Sequence, residues 1–152
     1  MFKIVLIEPE IPQNTGTIAR LCAATNSQLI LVGKLGFSLS DKYLKRAGLD
    51  YWEYVNWVHI ESKEEYFHSL DRSTTTPWFL TTKTDTVYSN AQFSDNDALI
   101  FGSESKGLSN GIREKYNRQL ITIPMMNQNI RSLNLANAVS IVLYEAIRQQ
   151  ND

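Results

Sequence analysis

The sequence predicts a single α/β domain whose sheet is largely parallel and carries helices on both faces. Two observations carry that expectation. Six short apolar runs, rich in β-branched and aromatic residues, punctuate the chain, and most are separated by segments long enough to hold a helix. At 152 residues the chain suffices for one compact domain, spanning 1–152, that buries its own core without disulfides or a structural metal.

The strand-like runs are 2–7, 28–32, 54–60, 78–82, 98–101 and 120–123. Between them, helical patterns cover 15–25, 41–47, 63–70, 109–115 and 135–149. Ser62 and Glu65 read as a capping box opening the third helix. The last helix carries Leu135, Val139, Val142, Ala146 and Ile147 on one apolar stripe, which must be buried. Small residues beside it, Ala136, Ala138 and Ser140, would admit another helix closely. The stripe therefore packs on the chain's own sheet or adjoins a second subunit.

Composition narrows the function classes. With 43% hydrophobic and 20% charged residues, the chain is not a disordered tail. A net charge of −1 supplies no global pull toward nucleic acid, so RNA would have to be held by local patches. The one cysteine, Cys22, forms no intramolecular disulfide, and no apolar run approaches the roughly 20 residues that span a bilayer. A cytoplasmic protein without membrane contact is expected. His59 and His68 stand alone, so no metal site is expected either.

Four segments have the composition of ligand sites. Asn14, Thr15 and Gly16 follow the first strand and lead into a helix carrying Arg20; the turn either leaves amides free for a ligand or is simply a helix start capped by Asn14. Residues 99–108, LIFGSESKGL, leave a buried strand at Gly102 and enter a polar loop with Gly107. That spacing approaches a P-loop, but Leu108 stands where lysine is required, so a phosphotransferase is disfavoured. Ile123 closes the last strand, and Arg131, Ser132 and Asn134 precede the final helix, where Ser132 or Asn134 is also a candidate cap. Lys42, Lys45 and Arg46 share one helical face, followed by Tyr51, Trp52 and Tyr54. Charge beside aromatic rings suits RNA phosphates and unpaired bases, although a solvated face with core aromatics fits equally.

In order and spacing these segments resemble the three motifs of the SPOUT methyltransferase superfamily: Asn14-x-Gly16-x-x-x-Arg20, then 101–108 FGSESKGL, then 132–138 SLNLANA. EPEIPQNTG at 8–16 and KRAGLDYWE at 45–53 are further similar to its small single-domain TrmL branch, tRNA (cytidine/uridine) 2'-O-methyltransferases that act at the wobble position. The resemblance implies a deep trefoil knot in the C-terminal part, against the general rarity of knots. It also implies S-adenosylmethionine as methyl donor, S-adenosylhomocysteine as product, no metal, tRNA as partner with leucine tRNAs as the expected substrates, and a homodimer.

Carried over onto this chain, the resemblance places the cofactor at Leu80, Thr81, Gly102, Ile123 and Ser132. It places Arg20, Asn14, Glu104 and Asn134 on the reacting side, and leaves Lys42, Lys45, Arg46 and Arg131 for RNA. A guanidinium stays protonated in proteins, so Arg20 is expected to hold phosphate and polarise the hydroxyl, with Tyr144 as a candidate proton relay or a packed interface aromatic. The alternative from another class is a non-catalytic knotted RNA-binding protein.

Overall fold

The computed structural model describes residues 1–151, excepting the side chains of residues 48–50. Six strands form one sheet: β1 (Lys3–Ile7), β2 (Gln28–Val32), β3 (Asn56–Ile60), β4 (Pro77–Leu80), β5 (Ala98–Phe101) and β6 (Leu120–Ile121). Their order is β3-β2-β1-β5-β4-β6, and every pairing is parallel. The helices are α1 (Pro12–Thr25), α2 (Lys42–Gly48), α3 (Lys63–Ser69), α4 (Asn110–Lys115) and α5 (Leu135–Asn151).

The two faces of the sheet explain its apolar sequence. Ile4, Leu6, Leu29, Leu31, Leu99 and Phe101 pack with Ile18, Ala19 and Cys22 of α1 and Val139, Val142, Leu143 and Ala146 of α5. Their neighbours in the chain, Val5, Ile7, Ile30, Val32 and Ile100, pack with Phe79 of β4, Tyr66 of α3, Leu108 and Tyr116. Because helices cover both sides, the central strands are continuously hydrophobic instead of alternating. The apolar stripe of α5 is thus spent on the chain's own core.

Boundaries shift for identifiable reasons. α1 starts at Pro12 and not at 15, because proline at the first helical position has a preset φ and lacks an amide that would be unsatisfied anyway. It ends at Asn26, whose left-handed φ of 52° turns its amide back to the Cys22 and Ala23 carbonyls. Tyr54 closes a 3-10 turn, Leu49–Tyr54, so β3 begins later than expected. Thr81 and Thr82 lie beyond β4, and β6 is cut to two residues because Thr122 makes only an isolated bridge to Val87. Of the capping box, the half in which Ser62 Oγ accepts from the Glu65 amide at 3.2 Å is formed, and the same hydroxyl donates to the Glu64 carboxylate at 3.1 Å.

Candidate functional site

Loops leaving the carboxyl ends of β1, β4, β5 and β6 surround a cleft of about 770 Å³. Open parallel sheets bind ligands at this end, and the volume suits a nucleoside-sized molecule. Its walls mix Leu80, Ile123, Leu133 and Leu135 with Thr81, Ser132, Gln128 and the turn from Gly102 to Leu108.

Hydrogen bonds between distant segments hold these loops together. The Glu104 carboxylate accepts from the Glu10 amide at 2.7 Å, the Ile11 amide at 3.1 Å and Asn14 Nδ2 at 3.3 Å. Ile11 is the N-cap of α1 and offers no side-chain cap, so Glu104 places the missing negative charge at that helix start from across the site. Asn14 Oδ1 accepts from Asn134 Nδ2 at 3.0 Å, and Asn134 Oδ1 accepts from the Asn137 amide at 3.2 Å, capping α5. In the reverse sense, Glu10 accepts from the Ser105 hydroxyl at 2.6 Å and amide at 3.2 Å. The Ser105 hydroxyl, then its amide, then Ser103 and the charge of Lys106 hold the Glu10 carboxyl below the usual carboxylate range.

The 102–108 loop closes on itself. A Cβ on Gly102 would lie 2.1 Å from the carbonyl carbon of Gly107 and 2.5 Å from the Leu108 nitrogen. Glycine is therefore demanded there by the protein's own backbone. Gly107 adopts a left-handed φ of 64° and donates to the Ser103 carbonyl at 2.9 Å. The amides of residues 105, 106 and 107 all have acceptors within the protein, so none is left to cradle phosphate as a P-loop would. Gly16 likewise answers to packing, since a Cβ there would meet Ala47 Cβ at 2.5 Å and the Leu44 carbonyl at 2.8 Å. Asn14, Thr15 and Gly16 are buried within α1 and form no open turn.

Leu80, Thr81, Gly102, Ile123 and Ser132 all line the cleft, as do Asn14, Glu104, Asn134 and Arg131. Two residues expected to act on the substrate, Arg20 and the candidate relay Tyr144, are elsewhere. Arg20 is exposed, its guanidinium 4.6 Å from the Tyr51 ring centroid, and Tyr144 is 54% exposed on α5; neither lines the cleft of its own chain. Lys42, Lys45 and Arg46 are exposed on α2, also outside the cleft.

Lys83 and Arg113 on the cleft wall are not marked by the sequence motifs, and neither is the Glu10–Ser105 contact. Lys83 directly follows the expected strand end at Thr82, a position from which it could have been inferred. The Glu10–Ser105 pair joins residues 95 positions apart, and no local pattern marks it. Cys22 is fully buried, which pushes its thiol up to about 12. Among the described residues no cluster could hold a metal ion, and no helix is long and apolar enough to cross a membrane.

Comparison with known proteins agrees over the full length. The tRNA (cytidine(34)-2'-O)-methyltransferase of Methylovorus glucosotrophus is 47% identical over 152 residues, covering 99% of this chain and 97% of its own. A solved structure concerned with 2-OH methylation of C/U34 on tRNA matches with a TM-score of 0.93 and 39% identity over 99% of this chain and 97% of that one. The SpoU methyltransferase AviRb of Streptomyces viridochromogenes, in complex with AdoMet, matches with a TM-score of 0.87 and 26% identity; 98% of this chain aligns with 60% of AviRb. The SpoU rRNA Methylase family model covers residues 1–144, and the chain belongs to that family.

Proposed function

We propose that this protein transfers a methyl group from S-adenosylmethionine to the ribose 2'-OH of the wobble nucleotide, cytidine or modified uridine, of tRNA. The cleft walled by the three motif segments carries the proposal: its lining fits the donor. Leu80, Ile123, Leu133 and Leu135 offer apolar surface to a neutral purine, while Thr81, Ser132 and nearby main chain offer hydrogen-bond partners. The full-length similarity to tRNA (cytidine(34)-2'-O)-methyltransferases supports the substrate.

Bound S-adenosylmethionine would supply an already electrophilic sulfonium methyl, so the protein's task is alignment and proton removal. Transfer forms an O–C bond, breaks the S–C bond and releases the hydroxyl proton. Glu104, Asn14 and Asn134 fix the cleft loops relative to one another, so their role is positioning. Arg20, always protonated, holds an RNA phosphate and polarises the hydroxyl, and Tyr144 is the candidate relay for the proton.

A homodimer accommodates the separation of those two side chains from the cleft of their own chain, because each would serve the partner's cleft. Exposed Ile11, Ile141 and Tyr144, large apolar or aromatic groups on α1 or next to it and on α5, support that arrangement. Leucine tRNAs and a trefoil knot in the C-terminal part complete the reading on the strength of the family resemblance, RNA contacts at Lys42, Lys45, Arg46 and Arg131 on that of their positive charge, and a cytoplasmic setting on that of the composition. Calorimetry with S-adenosylhomocysteine, followed by transfer of labelled methyl from S-adenosylmethionine to leucine tRNA, tests it. Tight binding and label in tRNA are expected; binding without transfer would favour a non-catalytic RNA binder, and preference for ATP would overturn both.

A further inference from the structure

We propose that a second, shallower groove beside the cleft is a subsite for an RNA nucleotide flanking the methylated one, with Arg113 and Lys83 gripping its phosphate. The groove, about 320 Å³, is lined by Lys83, Asn110, Arg113, Glu114, Asn117 and Leu120. Lys83 and Arg113 line the main cleft as well, so the two positive groups stand where the depressions meet. Arg113 Nη2 donates to Asn110 Oδ1, which fixes the guanidinium. Its Nε is buried and finds no acceptor among the described residues. Nε has no accessible surface of its own, so an anion from outside would meet the rest of this half-buried guanidinium, beside Lys83 where the two depressions join.

An RNA phosphate suits that group in chemistry, because a guanidinium binds phosphate oxygens in a planar fork. Asn110 and Asn117 add amide groups suited to sugar and base edges, and Leu120 offers a small apolar floor. Glu114 also lines the groove, which confines the anion to the end shared with the cleft. Because the groove adjoins the cleft proposed for the target ribose, a phosphate flanking that ribose is the RNA group nearest to this junction. The inference rests on the tRNA-methyltransferase reading.

The test measures binding of a tRNA anticodon stem-loop across about 50–200 mM salt, for the intact protein, Arg113→Ala and Asn117→Asp. S-adenosylhomocysteine and 5'-methylthioadenosine, which lacks the amino-acid arm, are titrated in parallel. Arg113→Ala should weaken RNA binding about 3- to 10-fold and make the slope of log affinity against log salt shallower by about 0.7–0.9, the share of one phosphate. Asn117→Asp, on the exposed rim, should weaken RNA binding through repulsion while leaving both nucleosides unaffected. An unchanged salt slope in Arg113→Ala together with unchanged RNA affinity in Asn117→Asp would overturn the subsite. Loss of S-adenosylhomocysteine affinity alone, with methylthioadenosine binding retained, would also overturn it by assigning Arg113 to the cofactor carboxylate. An intact protein that binds no tRNA would instead defeat the underlying functional reading.

Discussion

Asn134 Nδ2 donates to Asn14 Oδ1 at 3.0 Å across 120 residues of chain, and Asn14 in turn donates from its own amide to Glu104. Every link has one polarity, from the Asn137 amide through two side-chain amides to a carboxylate. Each side chain is thereby fixed, and the start of α5 is tied to the start of α1.

That polarity predicts an asymmetric response to substitution. Asn14→Asp should lower stability by about 1–3 kcal/mol, since the introduced carboxylate cannot donate to Glu104 and faces a like charge. Turnover should fall on the order of 10- to 100-fold through misplaced loops. Asn14→Ala and Asn134→Ala should be non-additive by about 0.5–1 kcal/mol in a thermal or urea double-mutant cycle. Additive effects would show that the two amides do not act as a unit.

Glycine substitutions should separate according to what a Cβ would meet. Gly102→Ala drives a methyl to 2.1 Å from the Gly107 carbonyl carbon, so the loop must open. A lower melting temperature together with weakened S-adenosylhomocysteine binding is expected, because the clash is with the backbone that shapes the cleft. Gly111→Ala, in α4 with nothing within 4 Å of its Cβ, should be neutral or stabilising by up to about 1 kcal/mol. Equal melting temperatures for the two variants would contradict a loop closed on Gly102.

Acid should loosen the Glu10–Ser105 contact only at low pH. The Glu10 carboxyl is held below its ordinary value of 4.5 in the folded protein, so its contribution is complete above 4.5 and disappears as pH falls through the lower folded value. A carboxyl carbon titration by NMR should place the Glu10 midpoint below 4.5, and Ser105→Ala should move it back up. A midpoint at or above the ordinary value would remove the contact from solution.

Cys22 should resist modification in the native state. With the thiol buried and pushed up to about 12, almost no thiolate exists near neutral pH. A colorimetric thiol reagent should label it only under denaturant, at the rate of unfolding. Rapid labelling of native protein would place Cys22 on an accessible surface.

The central strands were legible because parallel strands covered on both faces must be apolar throughout, as β1, β2 and β5 are. The edges were less so. β6 contributes only Leu120 and Ile121, since the last partner of Thr122 is a bridge to Val87 and not another strand. The start of α1 was obscured by the polar Asn14 and Gly16, although Pro12 already carried the signal. At the site, the motif residues Asn14, Gly102, Glu104, Ser132 and Asn134 pointed to the cleft wall, whereas Leu80, Thr81 and Ile123 came only with the family resemblance. They could not reveal that Glu104 closes the start of α1, because its acceptor role depends on amides 90 or more residues away. Gly102 was legible as a place of close approach, but its neighbour is the Gly107 backbone, which no local pattern names.

Charge on α2 offers a test of the RNA path. Lys42, Lys45 and Arg46 are exposed on one short helix, with Tyr51 and Tyr54 exposed beyond it. Replacing the three cations with alanine should flatten the salt dependence of tRNA binding by about 0.7–0.9 for each phosphate no longer engaged, with cofactor affinity intact. An unchanged slope would locate the RNA elsewhere on the surface.

The most direct measurement is mass spectrometry of leucine tRNA from cells lacking the gene, from cells with it restored, and from cells carrying Arg20→Ala. The expected result is a 2'-O-methyl group on the wobble ribose that disappears with the gene, returns with the intact copy and stays absent with Arg20→Ala. A wobble ribose methylated equally in all three would contradict the proposed activity.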